Sequence, residues 1–207
     1  MSTNSFDGTP LRIVHQVRKM LLAEGYYPLT MTKIAEGCGL TRRGLYHHFN
    51  SKEQLLRAML VLSNNEARDA ADWAAQKAMA RGAGPLDIVA EWLDNRYGET
   101  RRRVARSPGG EDLNRASFSI ANDILIEVSR ETHVRLAALL VELSRRGLLR
   151  LKPGRSATEL AEIIADGARG VNQQRPPVPP GQIASRYRRI AEAILYGAAQ
   201  EAPPRQD

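Results

Sequence analysis

The sequence predicts an all-α protein of about nine helices, in which three small helices precede a larger helical bundle. Apolar residues recur at helical spacing along nearly the whole chain, and capping residues and breakers divide the periodic stretches. No stretch alternates apolar and polar residues as a half-buried strand would. The 207 residues, 43% of them apolar, suffice for one sizeable core or two modest ones.

Four helices are expected in the first 80 residues. The apolar face of the first consists of Ile13, Val14, Val17, Met20 and Leu21. Gly25 can end this helix in the left-handed conformation, and Thr30 and Thr41 can cap the second and third. Ser51 opens a fourth helix that runs to about Ala80, before the breaker RGAGP.

Further helices are expected over residues 86–106, 113–128 and 130–147, separated by SPGG (107–110) and followed by RGLLRLKPGR (146–155). Ser156 or Thr158 opens the helix ELAEIIADGARGV. RPPVPP (175–180) cannot lie inside a helix, so a last helix begins near QIASRYRRIAEAILYGAA. The polar tail 201–207 is expected to be flexible.

Charge and composition narrow the function classes. The net charge is +7, and residues 1–57 hold eight Lys/Arg against four Asp/Glu, a net +4, which favours an anionic partner. The single Cys38 excludes an internal disulfide, and neither a membrane span nor a signal peptide is recognisable, so a cytoplasmic protein is expected. No motif for a nucleophile, nucleotide or metal is present, so we expect no enzyme, cofactor or metal.

Residues 31–50 have the spacing of a helix-turn-helix. Ala35, Gly39 and Leu45 allow close helix crossing, a tight turn and a core anchor. On a helical wheel, Leu45 and Phe49 share one arc, whereas a separate polar arc carries Arg42, Arg43, Tyr46 and His47. Such a cationic face suits the guanine acceptors of the DNA major groove.

The stretch RIVHQVRKMLLAEGYYPLTMTKIAEGCGLTRRGLYHHFNSKEQLLRAML resembles the DNA-binding domain of tetracycline repressor (TetR) family regulators over about 50 contiguous residues. The resemblance implies base reading by Arg42, Arg43 and Gly44 and a family base-reading position at Thr32. It also implies phosphate contacts from Thr30, Thr41, Tyr46, His48 and Lys52, with His47 near a phosphate or a thymine methyl. The expected domains are therefore a DNA-binding domain at 8–68, a ligand-binding and dimerisation domain at 69–200, and the tail.

The last two helices carry apolar stripes that we expect to form the homodimer interface. The stripes comprise Leu160, Ile163, Ile164, Gly167, Ile183, Tyr187, Ile190 and Ile194. The alternative is that both stripes pack only within one chain. Residues that could line an effector pocket are Trp73, Trp92, Phe118 and His133, although their residue types favour core or interface roles.

These observations predict a ligand-responsive repressor that binds an inverted-repeat operator in double-stranded DNA as a homodimer. The small-molecule effector stays unidentified. Two alternatives are control by a protein partner and action as an activator.

Overall fold

A computed structural model describes residues 8–197. The regular elements in this range are helices, and they form two compact units. Of the described residues, the first unit contains 8–69 together with 99–131, and the second contains 70–98 together with 132–197. The helices are α1 (Thr9–Glu24), α2 (Met31–Gly37), α3 (Arg42–His48), α4 (Lys52–Ala80), α5 (Pro85–Leu93), α6 (Glu99–Arg106), α7 (Gly110–Ile120), α8 (Asn122–Arg145), α9 (Ala157–Gln173) and α10 (Ile183–Tyr196). A π turn at Asp94–Gly98 makes α5 and α6 one continuous segment, so the described residues form nine helical segments.

Local sequence signals account for the first helices. Gly25 ends α1 at φ 86°, a conformation that suits glycine because it has no Cβ. The Thr30 side chain accepts a hydrogen bond from Lys33 N at 3.2 Å and caps α2. Ser51 accepts one from Gln54 N at 3.1 Å at the start of α4. The expected starts and ends of these helices are thus confirmed.

The first unit has its own apolar core. Its buried members are Ile13, Val14, Val17, Leu21, Tyr26, Leu29, Ile34, Ala35, Leu45, Phe49, Leu55, Leu56, Ala58, Met59, Leu113 and Ala116. Leu113 and Ala116 belong to α7, far along the chain from the others. The sequence assigns residues 99–131 to the second domain, but by packing they join the N-terminal helices.

The second unit is built around a larger core that includes Trp92, Leu136, Leu140, Ile164 and Tyr187. The π turn of this unit points Arg96 inward, where Nε and Nη2 donate to Thr132 Oγ1 at 3.2 and 3.0 Å. Burial raises the pKa of the neighbouring Tyr97 hydroxyl.

One predicted boundary was wrong, whereas the last helix begins within one residue of its expected start. The break expected between 128 and 130 lies at Ala121, where α7 ends and α8 begins. The segment after RPPVPP starts with a 3₁₀ turn at Pro180–Gln182, and α10 follows. The tail 201–207 lies outside the described residues. Within residues 8–197, no helix combines the length and apolar character needed to cross a bilayer.

Candidate nucleic-acid interface

The helix-turn-helix geometry arises from two capped helices and one glycine turn. Thr41 Oγ1 accepts a hydrogen bond from Gly44 N at 3.0 Å and so fixes the start of α3. Gly39 adopts φ 67° in the turn between α2 and α3. Ile34 and Ala35 of α2 are buried beneath α3, which therefore stands on the surface of the first unit with one side in the core.

The two faces of α3 differ as predicted. Leu45 and Phe49 are buried, whereas Arg42, Arg43, Tyr46 and His47 are exposed. The Arg42 guanidinium carbon lies 5.5 Å from the Tyr46 ring centroid, a cation–π contact. Within residues 8–197 neither Arg42 nor Arg43 has an ion-pair partner. The guanidinium donors of both arginines are therefore available to an external acceptor.

The remaining predicted residues border this face. The rings of His47 and His48 lie 5.1 Å apart at an interplanar angle of 75°, with His48 half-buried. Thr30 and Thr32 are exposed on α2 and its cap. A Cβ added at Gly44 would lie 3.2 Å from Thr41 Oγ1, so a glycine here also leaves room for the cap of α3.

The Lys52 side chain makes contacts that the sequence did not predict. Its Nζ donates to Leu29 O at 2.8 Å and Tyr26 O at 2.9 Å, and it lies 4.2 Å from the Tyr26 ring centroid. Burial lowers the pKa of this ammonium, although Asp112 opposes the effect. The Lys52 donors are thus directed at backbone carbonyls of the same chain.

The predicted effector residues do not share one environment. Trp92 is a core residue whose Nε1 donates to Asp72 Oδ1 at 3.1 Å. Trp73 is 62% exposed and Phe118 is 48% exposed, so both are surface groups rather than walls of an enclosed pocket. His133 Nε2 is buried, has no hydrogen-bond partner among residues 8–197, and lies 3.6 Å from Asp166 Oδ1.

Sequence reasoning missed a cleft of about 260 Å³ in the first unit. Arg12, His15 and Lys19 line it from α1, and Cys38 lines it from the turn before α3. Burial raises the pKa of the Cys38 thiol. The i, i+3, i+7 spacing of the three basic residues was the signal available in the sequence.

The predicted dimer stripes need correction. Leu160, Ile164, Ile183 and Tyr187 are buried in the core of the second unit and cannot reach a partner. Gly167 faces Ile190 of the same chain, since an added Cβ would lie 2.8 Å from Ile190 Cγ2. Ile163 is 46% exposed, and Ile190 and Ile194 are half-buried. The two helices pack on each other within the chain, and only their outer edges are left for a partner.

Comparison with known proteins agrees with this geometry. Residues 13–59 match the family described as "Bacterial regulatory proteins, tetR family". The chain is 32% identical over 59 residues to the HTH-type transcriptional regulator UidR of Escherichia coli strain K12, an alignment that covers 28% of this chain and 30% of UidR. The chain thus matches under a third of the length of that relative. The expectation that it is not an enzyme agrees with the regulatory character of these proteins.

Solved structures share the fold over nearly the whole chain. PfmR, a TetR-family transcriptional regulator from Thermus thermophilus, superimposes with a TM-score of 0.63 at 19% identity, covering 91% of this chain and all of PfmR. A TetR-family regulator from Pectobacterium atrosepticum gives 0.66 at 18% identity, covering 95% and 97% of the two chains. FadR of Thermus thermophilus, a TetR-family repressor, gives 0.55 at 16% identity over 96% and 99%. Residues 13–59 thus match the tetR family of bacterial regulatory proteins, and the fold of the chain is shared with solved TetR-family regulators.

Proposed function

We propose that this protein is a transcriptional repressor that binds an inverted-repeat operator as a homodimer and responds to a small molecule. The observation that carries the DNA-binding part is the outer face of α3. Its two arginines have no ion-pair partner within residues 8–197, while Leu45 and Phe49 anchor the opposite face in the core.

The chemistry of this face suits the major groove. An α-helix fits the groove, which is roughly 12 Å wide, and an arginine can donate two hydrogen bonds to guanine O6 and N7. Arg42 and Arg43 would read bases, with Gly44 allowing close approach. Thr30, Thr41, Tyr46 and His48 would contact phosphates, and His47 would meet a phosphate or a thymine methyl. Thr32 completes the predicted set on α2.

A dimer follows from the operator symmetry that two such helices would read. The outer edges of α9 and α10, with Ile163, Ile190 and Ile194, supply the apolar surface for that contact. If the same patch of each copy meets the other, the two copies are related by a twofold axis, as an inverted-repeat operator requires.

Control by a small molecule is supported by a structural neighbour. FadR of Thermus thermophilus is described in complex with lauroyl-CoA, so the shared fold can hold a ligand. Control by a protein partner is the second candidate. The exposed aromatic side chains of Trp73 and Phe118 favour it, because aromatic residues are enriched in protein interfaces.

The test begins with selection of genomic DNA fragments by the purified protein, followed by anisotropy titrations on the recovered sequence. We expect an inverted repeat bound at nanomolar concentration, with a preference over random DNA that Arg42→Ala and Arg43→Ala reduce. If the wild type bound random and selected fragments equally, the repressor function would be rejected. Thermal-shift screening of small molecules, compared with pull-down of partner proteins, then separates the two modes of control.

A further inference from the structure

The loop between α1 and α2, residues 25–30, is held on one side by a carboxylate of α7. Asp112 Oδ2 accepts hydrogen bonds from Tyr26 N at 2.6 Å and Tyr27 N at 3.1 Å. A Cβ at Gly25 would overlap the Asp112 carboxylate, so the glycine leaves room for this acceptor. Two charge-assisted hydrogen bonds therefore join α7 to the loop.

The other side of the loop is held by Lys52. Its Nζ donates to the carbonyls of Tyr26 and Leu29, and it lies over the Tyr26 ring. The N–H groups and the carbonyls of one short loop are thus bound by charges of opposite sign from α4 and α7. We call this arrangement the loop clamp, consisting of Lys52, Asp112 and loop 25–30.

The loop clamp sets the position of the helix-turn-helix. Leu29 is buried, and the next residue, Thr30, caps α2, so the loop leaves little freedom for the start of α2. Gly109 N donates to Leu22 O at 2.8 Å, which brings the start of α7 against the end of α1. A shift of the loop would therefore shift α2 and the α3 that packs on it.

We propose that Lys52 and Asp112 are positioning residues for operator recognition, acting through loop 25–30 and not by contact with DNA. This inference rests on the proposed DNA-binding function. The sign of the Asp112 charge makes the role distinctive, because a carboxylate in a DNA-binding unit repels phosphates. The two hydrogen bonds that Asp112 accepts from the loop backbone explain why a carboxylate is present at this position.

Asp112→Asn distinguishes two explanations, because they predict opposite changes in operator affinity. Removing a negative charge strengthens DNA binding if electrostatics alone acts, whereas the loop clamp predicts weaker operator binding by about tenfold, since neutral acceptors bind less strongly. Glu111→Gln is the matched control, because it removes an equal charge from the exposed neighbouring position. Operator affinity that rises equally in both variants would overturn the proposal.

Lys52→Met separates positioning from phosphate contact. The loop clamp predicts weaker operator binding with an unchanged slope of log affinity against log salt concentration. A lost phosphate contact would reduce that slope by about 0.9. Arg43→Ala provides the comparison for an exposed cation on α3. A reduced slope for Lys52→Met would overturn the proposal.

Two measurements on folded protein keep the test decisive. The ¹⁵Nζ resonance of Lys52 in the wild type should stay in place when operator is added, and a large displacement would contradict the loop clamp. In free protein, amide exchange at Tyr26 and Tyr27 should be faster in Asp112→Asn than in Glu111→Gln, and equal rates would contradict it. This exchange experiment stands even if the wild type binds no DNA, an outcome that would reject only the proposed function.

Discussion

Gly109→Ala tests the packing of α7 against the end of α1. A Cβ at this position would lie 2.6 Å from Leu21 O and 2.8 Å from the Glu24 carbonyl carbon, and closer still to Gly25 N. Favourable separations are about 3.5–4.0 Å. The obstacles are backbone atoms, so no side-chain rotation can relieve the overlap, and α7 must move away from α1.

The expected cost follows from that movement. Overpacking in a close-packed site costs about 1–3 kcal/mol, and the loss of the Gly109 N–H to Leu22 O bond adds about 1 kcal/mol. We expect the free energy of unfolding of the first unit to fall by about 3 kcal/mol. Gly170→Ala is the control. No described residue lies within 4 Å of an added Cβ at this glycine of α9, so the variant should gain about 0.5–1 kcal/mol from helix propensity.

A protein of two units need not unfold in one transition, so the assay should resolve them. Urea titration combined with amide exchange measures the opening free energy of α1 and α2 separately from that of α9. Gly109→Ala should lower protection in α1 and α2. If that protection stayed within about 0.5 kcal/mol of wild type, the close approach of Gly109 to α1 would be wrong.

Three further predictions concern the surface. Arg42→Ala and Arg43→Ala should each cost about 1–3 kcal/mol on the operator and relax specificity at one position per half-site, as measured by competition with base-substituted operators. Ile163→Glu should shift the dimer toward monomer with helicity intact, whereas Val134→Glu on α8 should leave the light-scattering mass unchanged. Two neighbouring arginines lower the pKa of Glu142 to about 2, so its contribution to stability is present above pH 4.5 and lost as the pH falls through about 2. A carboxyl titration by NMR with a midpoint near 4.5 would refute the arginine contacts.

The first four helices could be predicted because their signals are local. A capping hydroxyl acts on an amide three residues away, and Gly25 ends α1 through its own backbone conformation. The two faces of α3 likewise follow from its period alone. Short-range chemistry of this kind is visible in a single sequence, so both the helix-turn-helix and its exposed arginines were found.

The boundary between α7 and α8 could not be predicted, because distant residues determine it. Arg57 of α4 donates to Ile120 O at 3.1 Å, which satisfies a carbonyl at the end of α7. The same guanidinium binds Asp123 in the first turn of α8 through both carboxylate oxygens. Apolar residues continue at helical spacing through this point, so the local sequence does not indicate the break. The contacts of Arg57, which span more than sixty residues, do indicate it.

The burial of the predicted dimer stripes could not be foreseen for the same reason, because it depends on residues distant in the sequence. A period of 3.6 identifies the apolar face of a helix but not the surface that covers it. On α9 and α10 the faces are wide enough to pack on the core of the unit and on each other, and Gly167 lets Ile190 approach. Ile163 lies about 100° round the helix from the buried Ile164, which places one in the core and leaves the other as a candidate interface residue.

The basic residues near α3 show what decides whether a cation is available for DNA. Lys52 and Arg43 carry the same charge in the same domain, and the family pattern assigns both to DNA. The compact ammonium of Lys52 can direct its donors at several carbonyls, and loop 25–30 offers them within 3 Å. The guanidinium of Arg43 projects from α3, where the described part of the chain supplies no carboxylate, so its planar array of donors stays open to a base edge or a phosphate. Availability therefore depends on the oxygen acceptors that the fold brings to each cation, a property that charge patterns along the chain do not contain.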